Sequence, residues 1–138
     1  MSSNERKKMD AALKQVVIPI LREQRFKGSL PHFRRVNENN IDLITFQFNR
    51  WGGSFVVELA TCPTEGTTMY WGEIIPPNKV NAHHIDDRYR LGASSLEEDG
   101  IWFNYENVMT EEDYAKVAEN VLKLLKTSDQ NWITSLFQ

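Results

Sequence analysis

The sequence predicts an α+β fold, in which an antiparallel β-sheet of about four to five strands packs against N-terminal and C-terminal helices. Apolar residues recur at three- and four-residue spacing near both ends of the chain, which is typical of amphipathic helices. Segments rich in β-branched and aromatic residues are bunched between those ends. The strands do not alternate with helices, so nothing indicates parallel pairing.

The bulk properties suit one domain, residues 1–138, because 138 residues with 41% hydrophobic content can form a single core. The formal net charge of −3 argues against binding to nucleic acid, which depends on clustered Lys and Arg, and instead suits a basic protein partner. The longest apolar run, VVIPIL, is too short for a membrane span or a signal-peptide core. A single cysteine fits a reducing compartment, so we expect a cytoplasmic protein.

The first helix is predicted from about Asn4 to Arg25. Its apolar stripe consists of Met9, Leu13, Val16, Val17, Ile20 and Leu21. Pro19 removes a backbone donor and clashes with the preceding turn, so we expect a kink or two shorter helices that meet near Ile18. Phe26 is expected to enter the core, and Gly28 to allow the reversal into the first strand.

Three antiparallel strands are predicted at HFRRV, IDLITFQFNR and FVVELAT, between His32 and Thr61. Residues 51–54 join the second and third strands, and their two adjacent glycines can take the positive φ angles of a tight turn. Both faces of the middle strand are partly apolar, with Ile44, Phe46 and Phe48 opposite Ile41, Leu43, Thr45 and Gln47. This pattern favours a helix over one face and loops or a partner over the other.

The second half of the chain is predicted less regularly. Residues 64–81 favour an extended loop that can hold a short strand. A fourth strand is predicted from Ala82 to Leu91, with a helix start as the competing interpretation. Residues 101–105 suit a short edge strand.

A helix is predicted to begin after Thr110, whose side chain can cap it while three acidic residues occupy its first turn. It runs to about Lys126. Its buried stripe consists of Tyr114, Val117, Ala118, Val121, Leu122 and Leu125. A shorter helix from Ser128 or Asp129 is expected to close the chain.

Four potential metal ligands lie close together at His83, His84, Asp86 and Asp87. On a strand they would divide between its two faces, so a divalent ion could use only two of them from one side. We therefore favour an exposed polar segment and expect no metal and no cofactor. Cys62 with a histidine could act as nucleophile and base, but its neighbours lack a suitable setting, and a buried, inert thiol is favoured.

The predicted strands carry five arginines. If Arg34, Arg50, Arg88 and Arg90 converge on one face, they form a candidate site for a carboxylate or phosphate. The favoured interpretation is cross-strand salt bridging by these residues and Arg35. The expected acidic partners are Asp42, Glu58 and Asp86.

Several aromatic side chains are predicted at strand ends and in loops, where they are candidate anchors for a partner. These are Trp51, Tyr70, Trp71, Trp102 and Tyr105. For each of them the favoured structural role is to cap the open end of a small core. The acidic run Glu97, Glu98 and Asp99 near Trp102 could add an acidic patch for a basic partner.

The segments VIPILREQRFKG, HFRRV, ITFQFN with GGSFVVELA, RLG and IWFNY resemble the spaced motifs of a bacterial family known as domain of unknown function 4304. The resemblance touches most of the chain. It implies a small soluble α+β domain without established catalytic residues. The family pattern usually has glycine before the phenylalanine that ends the first helix, and this chain has Arg25 there.

No catalytic or nucleotide-binding signature stands out, so we expect a binding protein and not an enzyme. The preferred hypothesis is an immunity or inhibitor-type protein that neutralises a cognate bacterial toxin through acidic loops and aromatic anchors. By analogy, some small acidic bacterial proteins act in this way. The competing hypothesis is a small-molecule sensor or enzyme, which predicts a cavity between the sheet and the long loop with Arg34, Arg50 or Arg90 at its floor.

Overall fold

The computed structural model describes residues 4–92, 100–107 and 110–127. The helices in this part of the chain are α1 Asn4–Val16, α2 Ile18–Glu23 and α3 Glu111–Lys126, with a 3₁₀ turn at Ala82–His84. The strands are β1 Lys27–Ser29, β2 His32–Val36, β3 Ile41–Phe48, β4 Ser54–Cys62, β5 Thr67–Thr68, β6 Ile74–Ile75, β7 Tyr89–Arg90 and β8 Phe103–Asn104.

Six of these strands form one antiparallel sheet in the order β1-β2-β3-β4-β7, and β8 pairs with β4 along the same edge as β7. Strands β5 and β6 form a separate two-stranded hairpin. Helices from the two ends of the described chain, α1 and α3, contact each other and pack on the sheet. The predicted α+β fold is therefore confirmed.

The predicted break in the first helix is confirmed at Val17, which separates α1 from α2. Pro19 lies in the first turn of α2, where its missing N–H is not needed within that helix. Val17, Ile18 and Leu21, at the break and in the second segment, are all buried in the core with residues of the sheet.

The end of α2 explains the unusual position of Arg25. The Phe26 N–H donates to the Leu21 carbonyl at 2.9 Å, and the Arg25 N–H donates to the Arg22 carbonyl at 3.0 Å. This pair of bonds is a Schellman motif, which requires a left-handed residue just beyond the helix. Arg25 is that residue, with φ 71°, and Phe26 is buried in the core as predicted.

The predicted hairpin between β3 and β4 is confirmed in continuous register, from Ile41 opposite Cys62 to Phe48 opposite Phe55. Gly52 and Gly53 at its turn have φ angles of 89° and 81°, the region that glycine adopts without strain.

Both faces of this sheet are covered, as the two-sided pattern of β3 predicts. The helices cover one face, which we call the helix side, where the core includes Phe33, Ile44, Phe46, Phe55, Val57 and Leu59. Residues 63–92, which we call the connection, cover the other face. The connection-side core consists of Ile41, Leu43, Ala60, Cys62, Ile75, Val80 and Ala82.

The predicted strand from Ala82 to Leu91 is wrong over most of its length, since only Tyr89–Arg90 pairs with β4. The competing interpretation, a helix start, describes its first residues, which form the 3₁₀ turn. The reason is local: the Asn81 side chain accepts from the His83 N–H at 2.9 Å, and His84 Nδ1 accepts from the Asn81 N–H at 3.0 Å. These two bonds form a capping box.

The other predicted elements are confirmed where the structure describes them. The loop at residues 64–81 holds β5 and β6, and β8 occupies the predicted edge strand. Thr110 caps α3, because its Oγ1 accepts from the Asp113 N–H at 3.1 Å. The predicted helix from Ser128 or Asp129 lies outside the described residues.

Replacing Arg25 by glycine is expected to raise the free energy of unfolding by about 0.5–1 kcal/mol. A left-handed residue with a side chain carries a penalty of about 1–2 kcal/mol, and the greater freedom of glycine in the unfolded chain returns only part of it. Urea unfolding at fixed protein concentration measures the difference.

Arg22→Gly is the matched control, because Arg22 lies within α2 in ordinary helical conformation. This control is expected to lower stability by about 1 kcal/mol. If Arg25→Gly also lowers stability, the left-handed assignment at Arg25 is wrong.

Candidate functional site

The candidate partner-binding aromatics lie at two different ends of the molecule. Trp51 lies in the β3–β4 turn, and Trp102 precedes β8, which pairs with the same end of β4. Tyr70 and Trp71 lie on the β5–β6 hairpin, which follows the opposite end of β4. Tyr105 is buried in the helix-side core, so it is not available to a partner. The remaining predicted partner-binding residues, Glu97, Glu98 and Asp99, lie outside the described residues.

Among residues 4–92, 100–107 and 110–127, the largest group of exposed apolar side chains is on the β5–β6 hairpin. Tyr70 is 96% exposed, Trp71 57% and Ile74 72%. We call these three residues the hairpin patch. Ile74 is missing from the sequence-based candidates. The pair Ile74–Ile75 did carry a signal for an exposed apolar side chain, because adjacent residues of a strand face opposite sides.

The hairpin patch is exposed because the opposite side of the hairpin is buried. Ile75 belongs to the connection-side core, and Met69 packs against that core. The Met69 N–H donates to the Glu73 carbonyl at 2.8 Å, which closes the turn. At the base of the hairpin, a Cβ on Gly66 would lie 2.1 Å from the Ile75 carbonyl oxygen, so only glycine fits there.

The two aromatic rings of the patch contact each other. Tyr70 and Trp71 make an edge-to-face contact, with ring centroids 4.8 Å apart. Trp71 Nε1 donates to Glu73 Oε1 at 3.2 Å. Since both contacts restrict the indole before any partner arrives, binding through Trp71 would lose less side-chain entropy than binding through a free tryptophan.

The segment that carries the hairpin patch is acidic. Between Cys62 and Asn78 the chain carries Glu65 and Glu73 and no Lys or Arg. Both glutamates are exposed. The patch therefore combines apolar anchors with negative charge, which is complementary to a basic surface.

A row of polar side chains crosses the connection side of the sheet. In the strand register His32 is opposite Thr45, Thr45 is opposite Glu58, and Glu58 is opposite Arg90. His32 Nδ1 lies 3.0 Å from Thr45 Oγ1, which also accepts from the Ala82 N–H at 3.3 Å. The row thus fastens the 3₁₀ turn of the connection to the middle of the sheet.

Glu58 is the most deeply buried acid of this row, with 1% of its side chain exposed. Its carboxylate contacts the Arg88 guanidinium, and Arg90 Nε lies 4.0 Å from its Oε1. His83 Nε2 lies 3.8 Å from the same oxygen. These three side chains all come from the connection, so their contacts with Glu58 bind the connection to β4.

The four candidate anion-binding arginines do not converge. Arg88 and Arg90 neutralise Glu58, which is the salt bridging that the favoured interpretation predicted. Arg50 lies over the Trp51 ring at the β3–β4 turn, 4.7 Å from the ring centroid. Arg34 lies on β2, where it lines a cavity of about 590 Å³ beside the connection.

The predicted cross-strand pair on the helix side also forms. Arg35 Nη2 lies 2.8 Å from Asp42 Oδ2, and both side chains are buried. Asn37 and Asn40 donate to the same carboxylate at 2.9 and 3.2 Å. Asp86 forms no ion pair within the described part of the chain.

The histidine segment has structural roles in this fold. His84 closes the capping box of the 3₁₀ turn, and His83 lies between Glu58 and His32, with the two imidazole centroids 5.9 Å apart. In residues 4–92, 100–107 and 110–127, no three His, Cys, Asp or Glu side chains gather to hold a metal ion.

Cys62 is buried at the end of β4, opposite Ile41. Burial raises the pKa of its thiol, which keeps the sulfur protonated at neutral pH. A nucleophilic cysteine needs the opposite shift. The geometry therefore favours the inert thiol that the sequence suggested.

We expect Arg88→Ala to destabilise the protein more than Glu58→Gln. Removal of Arg88 leaves the buried Glu58 carboxylate with less positive charge nearby, and we expect the free energy of unfolding to fall by about 2–3 kcal/mol. Glu58→Gln leaves Arg88 and Arg90 with 36% and 32% of their side chains exposed, so water can solvate them, and the loss is about 1 kcal/mol. Chemical unfolding of both variants measures the two losses.

The double variant Glu58→Gln/Arg88→Ala is expected to lose less stability than the sum of the single losses, because the two side chains interact. Arg50→Ala, which removes an arginine from the β3–β4 turn, is the control with little effect. Strict additivity of the two substitutions would refute the ion pair as the link between β4 and the connection.

Burial lowers the pKa of His32 below 6.5, and the nearby His83, His84 and Arg34 lower it further. Protonation then favours the unfolded chain, so His32 should reduce stability as the pH falls below 6.5. Between pH about 7.5 and about 5.5, the melting temperature of the His32→Asn variant is expected to fall less than that of the parent protein. An equal or larger loss in the variant would contradict this prediction.

None of the described helices is long and apolar enough to cross a membrane. No curated protein and no solved structure matches the chain significantly. A family model described as "Domain of unknown function (DUF4304)" matches residues 13–135, which include the sheet, the connection and the hairpin patch. The chain therefore belongs to the DUF4304 family.

Proposed function

We propose that this protein is an immunity or inhibitor-type binding protein that neutralises a cognate bacterial toxin by direct contact. The observation that carries the proposal is the hairpin patch, Tyr70, Trp71 and Ile74, exposed on a hairpin whose other side is fixed to the core. Exposed apolar groups gathered at one place mark interaction surfaces more often than isolated ones do.

The chemistry of the patch supports a protein partner. Tyrosine and tryptophan are over-represented among the side chains that dominate binding energies at interfaces. Trp71 is already oriented by Tyr70 and Glu73, which reduces the entropy lost on binding. A partner with a shallow apolar pocket would bury both rings.

The charge around the patch supports a basic partner. Glu65 and Glu73 flank the exposed rings, and the whole chain has a net charge of −3. Opposite charge on a toxin surface would accelerate the encounter and orient it before the aromatic side chains dock. Many toxins that cleave nucleic acid need a basic surface for their own substrate, and such a surface fits this requirement.

In this proposal the protein acts in the bacterial cytoplasm without catalysing a reaction. Its surface recognition requires no cofactor. Cys62 is buried and has no disulfide partner, which is compatible with a reducing compartment.

The alternative, a small-molecule sensor or enzyme with an arginine-lined pocket, has weaker support. It requires arginines that share one cavity, and Arg50, Arg88 and Arg90 are engaged elsewhere. Arg34 lines the cavity beside the connection, which is the observation that supports a small-molecule site on this face of the sheet.

The test begins with co-expression of this protein and the product of the gene next to its own in the native host. We expect protection of the cell and a stable complex whose dissociation constant can be measured by calorimetry. Tyr70→Ala and Trp71→Ala should each weaken the complex by about 2 kcal/mol or more, since each removes an anchor.

Trp51→Ala is the matched control, because Trp51 is 83% exposed but lies at the other end of β4. It should change the affinity by less than about 0.5 kcal/mol. If the cell is not protected and no complex forms with the neighbouring product, the inhibitor proposal is defeated. A loss of affinity with Trp51→Ala that equals the loss with Trp71→Ala would defeat the assignment of the hairpin patch.

A further inference from the structure

We propose that a cavity between the β1–β2 edge of the sheet and the connection binds a small organic anion, with its charged head on Lys27, Arg34 and Arg25 and its apolar body on Val36 and Pro77. We call this cavity the basic groove. The inference is independent of the proposed inhibitor function, because the hairpin patch contributes no residue to the groove.

The size and lining of the basic groove suit a small molecule. Its volume is about 590 Å³, within the range of small-molecule sites. Its apolar surface comes from Val36, which is 60% exposed, and from Pro77 across the groove. Asn78 adds an amide that can donate or accept a hydrogen bond.

Two cations of the groove face each other without an acidic partner. Lys27 on β1 is directly opposite Arg34 on β2 in the strand register. Neither side chain forms an ion pair with a carboxylate within the described ranges. Like charges at directly opposite positions destabilise a sheet, and an anion between them would remove that repulsion.

The third cation is held in an unfavourable backbone conformation. Arg25 has φ 71°, where glycine would be less strained, and its side chain lines the same groove. Strained residues of this kind occur often where the side chain serves a binding site. A guanidinium offers paired donors to a carboxylate or phosphate, which glycine cannot supply.

The groove is a local exception in an acidic protein. Residues 22–36 carry five Lys or Arg and one Asp or Glu, whereas the whole chain has a net charge of −3. One of the five, Arg35, is neutralised by Asp42 on the helix side of the sheet. Lys27 and Arg34, which form no ion pair within the described ranges, leave a positive potential at the groove, which would attract an anion from solution.

These observations define the ligand class as a molecule with one anionic head, carboxylate or phosphate, and an apolar body. A small inorganic ion would leave the apolar walls unused. A polyanion such as nucleic acid would need basic residues spread along a longer surface.

The experiment uses octyl phosphate and octanoate below their micelle concentrations, with octyl glucoside and inorganic phosphate as comparisons. Calorimetry should show saturable one-to-one binding of at least one octyl anion and a higher melting temperature in its presence, while octyl glucoside does neither. The tighter of the two identifies the head group. Equal binding of inorganic phosphate, binding only to anionic lipid vesicles, or no binding at all would overturn the inference.

Variants locate the site. Lys27→Ala/Arg34→Ala should lower the affinity for the octyl anion about tenfold or more, because two charge-assisted contacts are lost. Lys7→Ala/Lys123→Ala removes two exposed cations from α1 and α3, and should leave the affinity unchanged. Equal weakening in both double variants would show non-specific attraction and overturn the groove.

Arg25→Gly gives a readout that loss of folding cannot imitate. This variant should bind the octyl anion several-fold more weakly while its own melting temperature rises, since the left-handed strain is removed. Unchanged affinity would exclude Arg25 from the site. Trp71→Ala should keep full anion affinity, so failure of the groove and failure of the inhibitor proposal are distinguishable.

Discussion

The rest of this structure depends on the need to compensate Glu58, a carboxylate buried in the middle of β4. A charge taken out of water at 1% exposure requires nearby cations, and in this fold they come from a distant part of the sequence. Arg88, Arg90 and His83 approach from the connection, so the connection must lie across the sheet. Once it does, the apolar residues Val80 and Ala82 can complete a second core.

The two candidate surfaces follow from this arrangement. Ile75 and Met69 are fixed in the connection-side core, so the other side of the β5–β6 hairpin points its aromatic residues outward. A little further along the connection, Pro77 and Asn78 come to rest beside β2 and form one wall of the basic groove. The connection therefore carries an acidic, aromatic surface and also forms one wall of a basic cavity.

The sequence predicted most of the local structure and less of what depends on distant contacts. Pro19 breaks the first helix, and Thr110 begins α3, because each acts on its own backbone. The alternating residues from Ala82 to Leu91 suggested a strand, but the Asn81 cap forms a 3₁₀ turn at the start of this segment, and only Tyr89–Arg90 pairs with β4. The arginines of this segment do predict salt bridges to Glu58, but the burial of Glu58 could not be read from spacing alone.

The candidate site was also predicted only in part, because some of it depends on contacts between distant segments. The aromatic residues Tyr70 and Trp71 stand out in any loop, so they were identified, whereas Ile74 becomes exposed only through the register of a two-residue strand. The basic groove joins segments more than 40 residues apart, and β1 is only three residues long. Neither property leaves a periodic signal in the sequence.

Amide hydrogen exchange of the free protein, resolved by residue with NMR, tests most directly whether the connection is fixed across the sheet. The Leu91 N–H donates to the Val57 carbonyl at 2.8 Å, and the Ala82 N–H donates to Thr45 Oγ1. A connection that is fixed across the sheet requires these two amides to exchange as slowly as amides within β3 and β4. Rapid exchange at Ala82 and Leu91, with β3 and β4 still protected, would contradict it.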